Sequence, residues 1–157
     1  MAITLNGTTG ITTPADTVTG NATVGGTLGV TGATALSSTL AVTGNTTVGS
    51  YSETVVAIGT VTTASTLSLA TGTVQTATLT ASTACTFTMP TATAGKSFIL
   101  LLKQAATTGG GTATFTSVKW PTAGAPTITT TAGKMDVLSF VSDGTNWYGS
   151  ASQGYTP

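Results

Sequence analysis

The sequence predicts an all-β protein, with a short intertwined trimeric β shaft followed by a small antiparallel β-sandwich or barrel of jelly-roll type. Three observations predict it: the composition, a 12-residue repeat, and a change of texture near residue 61. Thr supplies 42 of the 157 residues and Gly 20, while charged residues make up only 5%. Thr and Val are branched at Cβ and favour strands, whereas Gly and Ser favour turns.

The chain divides into four predicted segments. Residues 1–15 are an N-terminal anchoring segment, 16–51 a repeat β shaft, 52–60 a junction, and 61–157 a C-terminal antiparallel β domain. Leu5 to Gly7 resembles the repeat, but Leu5 lies 13 residues before Val18, one more than the period. One extra residue moves strand side chains to the opposite face, so we expect a kink or bulge near Pro14.

The repeat is three copies of a 12-residue unit, and such a fixed period is typical of repeat architecture. The second and third copies open on Leu28 and Leu40. Each copy carries Val-Thr-Gly at the same place, and another aliphatic residue follows six residues after the Val. These are Val18-Thr19-Gly20 with Val24, Val30-Thr31-Gly32 with Leu36, and Val42-Thr43-Gly44 with Val48.

Every Val and Leu between residues 18 and 48 has an even number. Side chains of an extended chain alternate sides, so this pattern predicts one continuous apolar edge. One edge has nothing to bury against in its own chain. A single-chain solenoid remains open as an alternative, but three repeats are the minimum and no cap is evident, so we favour three intertwined chains. The predicted trimer interface is Val18, Val24, Leu28, Val30, Leu36, Leu40, Val42 and Val48.

From about residue 61 the sequence predicts short strands separated by Gly- and Pro-containing turns, which is typical of a sandwich or barrel. Both Trp and all four Phe lie in this half, so it has its own core. The predicted strands are 66–69, 74–79, 85–89, 97–104, 112–119, 127–130, 135–141 and 147–150.

Several classes of function are disfavoured by the residue types. The chain has no His and no Arg, so triads that need His are excluded, and four Lys make no basic footprint for nucleic acid. Asp136 and Asp143 are expected to be solvated edge and turn residues rather than a catalytic pair. Cys85 is expected to be a small buried apolar residue. We therefore predict no catalytic, cofactor-binding or metal-binding residues, and no enzyme activity.

We also expect no membrane insertion, because the longest strongly apolar run, 98–102, is far shorter than the ~20 residues that span a bilayer. The first residues lack the basic and apolar regions of a secretory signal. Trp120, Trp147 and Tyr148 are a possible platform for stacking a host glycan, although packing in the core or at a trimer interface is the more common role of such rings.

Residues 27–45 resemble the shaft repeats of bacteriophage tail fibres and related virion-surface proteins, and residues 138–149 resemble the end of many phage fibre and head-decoration domains. The resemblance implies a homotrimer with an intertwined β shaft and a globular tip. Two departures matter: the shaft is short for a fibre that reaches a host, and a histidine-rich metal-binding tip is absent. Both favour a compact decoration or cement protein on the capsid.

These observations lead us to expect a non-enzymatic virion protein on the capsid surface or tail, made in the host cytoplasm. Its expected partners are two further copies of itself and the major capsid or tail protein. A short tail fibre or a host-glycan receptor-binding module is the alternative. A threonine-rich ice-binding solenoid is disfavoured, because such proteins need a flat, regular Thr array, usually stapled by disulfides, and this chain has one Cys.

Overall fold

The computed structural model describes residues 18–157, and the predicted anchoring segment 1–15 lies outside them. The chain forms two units, one ending at Thr47 and the other covering Val48–Pro157. Every element of regular structure in the described residues is a β-strand, which confirms the prediction of an all-β protein.

The nine strands that residues 18–157 contain all lie in the second unit. The composition of these segments explains why they form strands, since Val, Ile, Thr and the aromatic residues fit a pleated surface. In order they are β1 (Val55–Val61), β2 (Ala64–Thr66), β3 (Val74–Leu79), β4 (Ala84–Thr88), β5 (Ser97–Lys103), β6 (Thr112–Phe115), β7 (Val118–Lys119), β8 (Met135–Ser142) and β9 (Trp147–Tyr155).

The strands form a six-stranded sheet in the order β1-β3-β5-β8-β9-β7 and a three-stranded sheet in the order β2-β4-β6. Over the first six strands the chain alternates between the two sheets, so it returns to each sheet in the same direction. The pairs β1-β3, β3-β5, β2-β4 and β4-β6 are therefore parallel. This is the stacking of a short solenoid, in which each coil contacts its neighbours.

The structure differs here from the antiparallel pairing predicted for residues 61–157. Only β5-β8 and β8-β9 are antiparallel among the described pairs, and β7-β9 is parallel. The difference arises because short strands bounded by turns look alike in both arrangements. What separates them is whether a turn returns the chain to the same sheet or passes it to the other one.

The core lies where the inward side chains of both sheets meet. Strands β3, β4, β5 and β8 each bury alternate residues, as period-two patterning requires. Phe87 stacks on Phe115 at 5.2 Å between ring centroids, and Phe98 stacks on Phe140 at 4.7 Å. The edge of Trp147 meets Phe98 at 5.3 Å. These rings give the unit one contiguous apolar core.

Two buried glutamines donate hydrogen bonds that hold the turns where the chain passes from one sheet to the other. Gln104 follows β5, and its Nε2 donates to the Gly111 carbonyl at 2.8 Å while its Oε1 accepts from the Gly111 N–H at 3.0 Å. Gln75, in β3, donates from Nε2 to the Ser68 carbonyl at 2.7 Å. A Cβ at Gly111 would lie 2.8 Å from the Leu79 Cβ, so only glycine fits this corner.

Two further segments differ from what was predicted for them. The predicted junction 52–60 contains most of β1, whose register against β3 shifts between Ala57 and Gly59. Residues 127–130 were predicted as a strand and form none. The Thr129 N–H donates instead to the Asp136 Oδ2 at 2.8 Å, so a side chain provides the hydrogen bond that a neighbouring strand would provide.

Candidate assembly surfaces

The first surface is a regular line of aliphatic side chains in residues 18–48. Six of them recur at exact six-residue spacing, and Leu28 and Leu40 lie between them at twelve-residue spacing. The six are Val18, Val24, Val30, Leu36, Val42 and Val48. The backbone bends immediately after most of these residues, at 19–20, 25–26, 32, 37–38, 43–44 and 49.

The residue two positions after each of these aliphatics is always Gly or Ser, from Gly20 and Gly26 to Ser50. Small residues of this kind permit a sharp bend without steric conflict. The 12-residue repeat therefore contains two structural units of six residues. The spacing from Val18 to Val24 already indicated this shorter period, although sequence reasoning treated 12 as the unit.

No residue in 18–47 belongs to a strand or a helix, and all of them are exposed. The eight aliphatic residues of the line are between 49% and 68% exposed. The structure thus places every residue of the predicted trimer interface on the surface of the single chain. The trimer interface formed by these residues stays a prediction.

The three residues of the predicted glycan platform do not share a face. Trp147 is 2% exposed, and its Nε1–H donates to the Pro90 carbonyl at 2.8 Å. Trp120 is half-buried and meets Phe115 and Phe140 edge to face at 6.0 and 5.9 Å. Tyr148 points to the opposite side of β9 from its neighbour Trp147 and is 44% exposed.

Trp120 is held by a close approach to β9. A Cβ added at Gly149 would lie 2.5 Å from the Trp120 ring, so glycine is the residue that lets the indole pack there. Period-two alternation along a strand predicts opposite faces for residues 147 and 148. That signal was present in the sequence and separates Tyr148 from the two tryptophans.

Tyr148 lies instead beside a cavity of about 580 Å³ on the outer side of the six-stranded sheet. Tyr51 and Glu53 border it, and its floor includes Ile99 and Val141. Hydroxyl groups from Thr73, Ser97, Ser139 and Ser150 also line it. The Thr73 hydroxyl donates to the Glu53 carboxylate. The cavity thus combines two aromatic rings, one carboxylate, hydroxyls and aliphatic surface.

The Asp143 carboxylate organises the turn next to this cavity. Its Oδ1 accepts from the Asn146 N–H at 2.7 Å and the Thr145 N–H at 2.8 Å, and its Oδ2 accepts from the Tyr148 hydroxyl at 2.9 Å. These bonds, the Asn146 amide first, lower the pKa of Asp143 from 3.8 to about 2. The same carboxylate raises the pKa of Tyr148. Asp143 is solvated and in a turn, as expected.

The second surface is the outer face of the six-stranded sheet, which sequence reasoning missed. Strand register places one row across it, formed by Val55, Val74, Ile99, Ser139 and Ser150. A neighbouring row contains Leu101 beside Val137, and a third contains Val141 beside Tyr148. Val55, Ile99, Val141 and Tyr148 are among the exposed large apolar side chains of the unit.

The outer face of the three-stranded sheet is different. Its exposed side chains are Ala64 and Ala84 and a set of threonines. Thr86 lies opposite Thr114, with 3.3 Å between their hydroxyl oxygens, and Thr66 lies opposite Thr88. This is a small regular Thr array, separate from the threonines of the Val-Thr-Gly repeat.

Asp136 is not the solvated edge residue that was expected. It is buried on the inner side of β8, where its carboxylate accepts from the N–H groups of Thr129 and Gly154 at 2.8 and 2.9 Å. Gln153 Nε2 also donates to it at 3.3 Å. Asp136 therefore ties the 127–130 segment to the end of β9, and it lies on the opposite face of the unit's large sheet from the cavity.

Cys85 is buried in β4, as expected, and its thiol lies 3.2 Å from the Val61 carbonyl oxygen. Within residues 18–157 no three His, Cys, Asp or Glu side chains gather where they could hold a metal ion. The described part of the chain also contains no helix with the length and apolar character needed to cross a membrane.

Comparison of the chain with protein-family models, with curated proteins and with solved structures found no match.

Proposed function

We propose that this chain is a non-enzymatic structural protein of a bacteriophage virion, of the capsid decoration, cement or head-fibre type. In this proposal it is a homotrimer that attaches to the particle through its N-terminal part and exposes the C-terminal β domain. The observation that carries the proposal is the line of eight aliphatic side chains in 18–48, all roughly half exposed or more.

Burial is worth about 25 cal/mol for each Å² of apolar surface, so a regular line of Val and Leu left in water is unfavourable. A backbone that bends every six residues repeats its geometry, so equivalent side chains follow one line. Three copies wound about a common axis bring three such lines together and bury them. Closed cyclic symmetry makes this arrangement self-limiting.

The particle is the second partner. The segment 1–15 lies outside the described residues, and the proposal assigns it the contact with the major capsid or tail protein. The protein is assembled in the host cytoplasm and functions on the virion. No nucleic-acid or membrane contact is part of the proposal, since net charge is zero and charged residues are 5% of the chain.

A binding experiment tests the location. Fluorescently labelled protein is added to phage heads that lack it and, separately, to host cells. Saturable binding to heads with none to cells is expected. Binding to cells alone would contradict the capsid assignment and favour the tail-fibre alternative.

The alternative function is a short tail fibre or a module that binds host glycans, and the cavity beside Tyr148 favours it. Aromatic faces with nearby hydroxyls and a carboxylate suit a saccharide, which offers both C–H surfaces and hydroxyl groups. Because Trp147 is buried, the ring to test is Tyr148. Tyr148→Ala should abolish glycan capture while leaving the thermal midpoint nearly unchanged, and Ser152→Ala, on the same face of β9, is the control.

A further inference from the structure

The outer face of the six-stranded sheet has the apolar character of a covered surface. In β5 the residues from Phe98 to Leu102 are all apolar, so this strand presents apolar side chains on both faces. Strands that are covered on both faces read as near-continuous apolar runs, whereas strands with one solvated face alternate. β4 alternates cleanly, with Cys85 and Phe87 buried between exposed residues.

The other sheet of this unit supplies an internal comparison. Where the three-stranded sheet faces outward it presents threonine and alanine, whereas the six-stranded sheet presents Val55, Ile99, Val141 and Tyr148 in addition to serines and threonines. The outward side chains of β8 include no charge. Charged side chains of the face lie at its margins: Glu53 before β1, Lys103 at the end of β5 and Lys119 on the short edge strand β7.

We propose that this outer face packs against the same face of neighbouring copies of the chain. The inference rests on the proposed trimer and deepens it by assigning a second homotypic contact, within Val48–Pro157. The cavity beside Tyr148 is then a gap that a neighbouring copy fills.

Chain connectivity favours a second copy over an unrelated protein. Val48, the last residue of the aliphatic line, precedes β1 by seven residues. Seven residues reach at most about 24 Å, so chains joined along 18–48 hold their β1 strands close together. The outer faces then meet at a high effective concentration, and even a weak contact becomes populated.

The size of the face fits this role. Five longer strands spaced by about 4.8 Å, each about seven residues long at about 3.3 Å per residue, give roughly 440 Å² in projection. A stable interface buries about 800 Å² of accessible surface on each partner. The face is therefore small for holding two free chains together, and adequate for chains already joined through 18–48.

Thiol labelling of the full-length chain tests the proposal. Ser139 is exposed at the centre of the face, opposite Ile99 in the register. Thr88 is exposed on the other sheet and serves as the matched control. Ser139→Cys and Thr88→Cys each add one small side chain, and the buried Cys85 of the unmodified chain gives the background rate. The probe is a negatively charged maleimide, and light scattering gives the mass of each variant.

In assembled protein the thiol of Ser139→Cys should react at least about tenfold more slowly than that of Thr88→Cys, because labelling requires the contact to open. The difference should disappear when Leu28→Asp and Leu40→Asp separate the chains. Equal labelling rates for the two thiols in a trimer would overturn the proposed packing of the outer face and leave the proposed trimer through 18–48 intact. A cavity that stays open for a saccharide would give that result. Monomeric mass for the unmodified chain would overturn both proposals.

Discussion

Residues 18–47 and the unit Val48–Pro157 both carry Val and Leu among many Thr and Gly residues, yet these aliphatic side chains end in opposite environments. In the second unit the chain returns to each sheet after a coil, with Val55 beside Val74 and Val74 beside Ile99. Leu79, Leu100 and Leu138 are completely buried there. In residues 18–47 the chain bends about every six residues without forming a strand, and Leu28 and Leu40 stay exposed.

The difference teaches that patterning alone does not determine whether a chain buries its own apolar side chains. Coils long enough to stack give each strand a neighbour from the same chain. Residues 18–47 form no such pairing within the chain, and we propose that other copies of the chain cover their apolar side chains. We therefore expect the two units to respond differently to substitution.

The largest effect is expected from Leu28→Asp combined with Leu40→Asp. In an isolated chain both residues are exposed, so each change would alter stability by only about 0.5 kcal/mol. In a trimer they place charges in an apolar interface, and the mass by light scattering should fall to that of one chain. Thr27→Asp with Thr39→Asp adds the same charges at neighbouring exposed positions and should leave the mass unchanged.

The next effect is expected in the core of the second unit. Phe87 is completely buried and stacks on Phe115, so Phe87→Ala should destabilise the fold by about 3–5 kcal/mol. Chemical unfolding at fixed protein concentration measures this. Thr88→Ala, one residue away and exposed, should stay within about 0.5 kcal/mol. A similar loss of unfolding free energy for both variants would contradict the assignment of Phe87 to the core.

A moderate effect is expected at the corner after β5. Gln104→Ala removes both partners of the Gly111 backbone, and an unsatisfied buried group costs about 1–3 kcal/mol. Gln104→Glu keeps an acceptor for the Gly111 N–H but loses the donor. The free energy of unfolding of the Gln104→Glu variant should therefore be measurably lower than that of the unmodified chain. It should also depend on pH in a way that the Gln104→Ala variant does not. Identical curves of unfolding free energy against pH for the two variants would argue against the pair of hydrogen bonds between Gln104 and Gly111.

The smallest effect is expected at the exposed turn of Asp143. A carboxyl whose folded-state pKa is lowered stabilises the fold above its ordinary pKa of 3.8, and that contribution is lost as pH falls through about 2. Tyr148→Phe removes one of the bonds that lower the pKa and leaves those from Asn146 and Thr145. NMR titration should show the Asp143 pKa moving part of the way towards 3.8. An unchanged pKa would show that the tyrosine hydroxyl does not donate to it.

Much of the second unit was predictable from residues that alternate. The predicted strand 74–79 matches β3, and 97–104 and 135–141 match β5 and β8 to within one residue. The segment 127–130 alternates in the same way, but Ile128 reaches the core from a loop that Asp136 holds. The local pattern cannot show that the side chain of Asp136, seven residues after Thr129, takes the place of a neighbouring strand.

The parallel pairing was beyond the sequence, because register depends on which distant segments meet. Val74 pairs with Val55 and with Ile99, and nothing in the local pattern around it specifies either partner. The candidate surfaces were more accessible. The parity of residues 18–48 predicted the aliphatic line, and the unbroken apolar run 98–102 indicated a strand with apolar side chains on both faces. The glycan platform was proposed without applying that same parity to residues 147 and 148.

The central claim is that the aliphatic line of 18–48 is an assembly surface, and the mass of the purified full-length chain in solution tests it most directly. Light scattering across a range of protein concentrations should give three times the 15.3 kDa mass of one chain. A mass of 15.3 kDa that persists at the highest concentration would contradict the account, because the eight exposed aliphatic residues would then have no partner of their own kind.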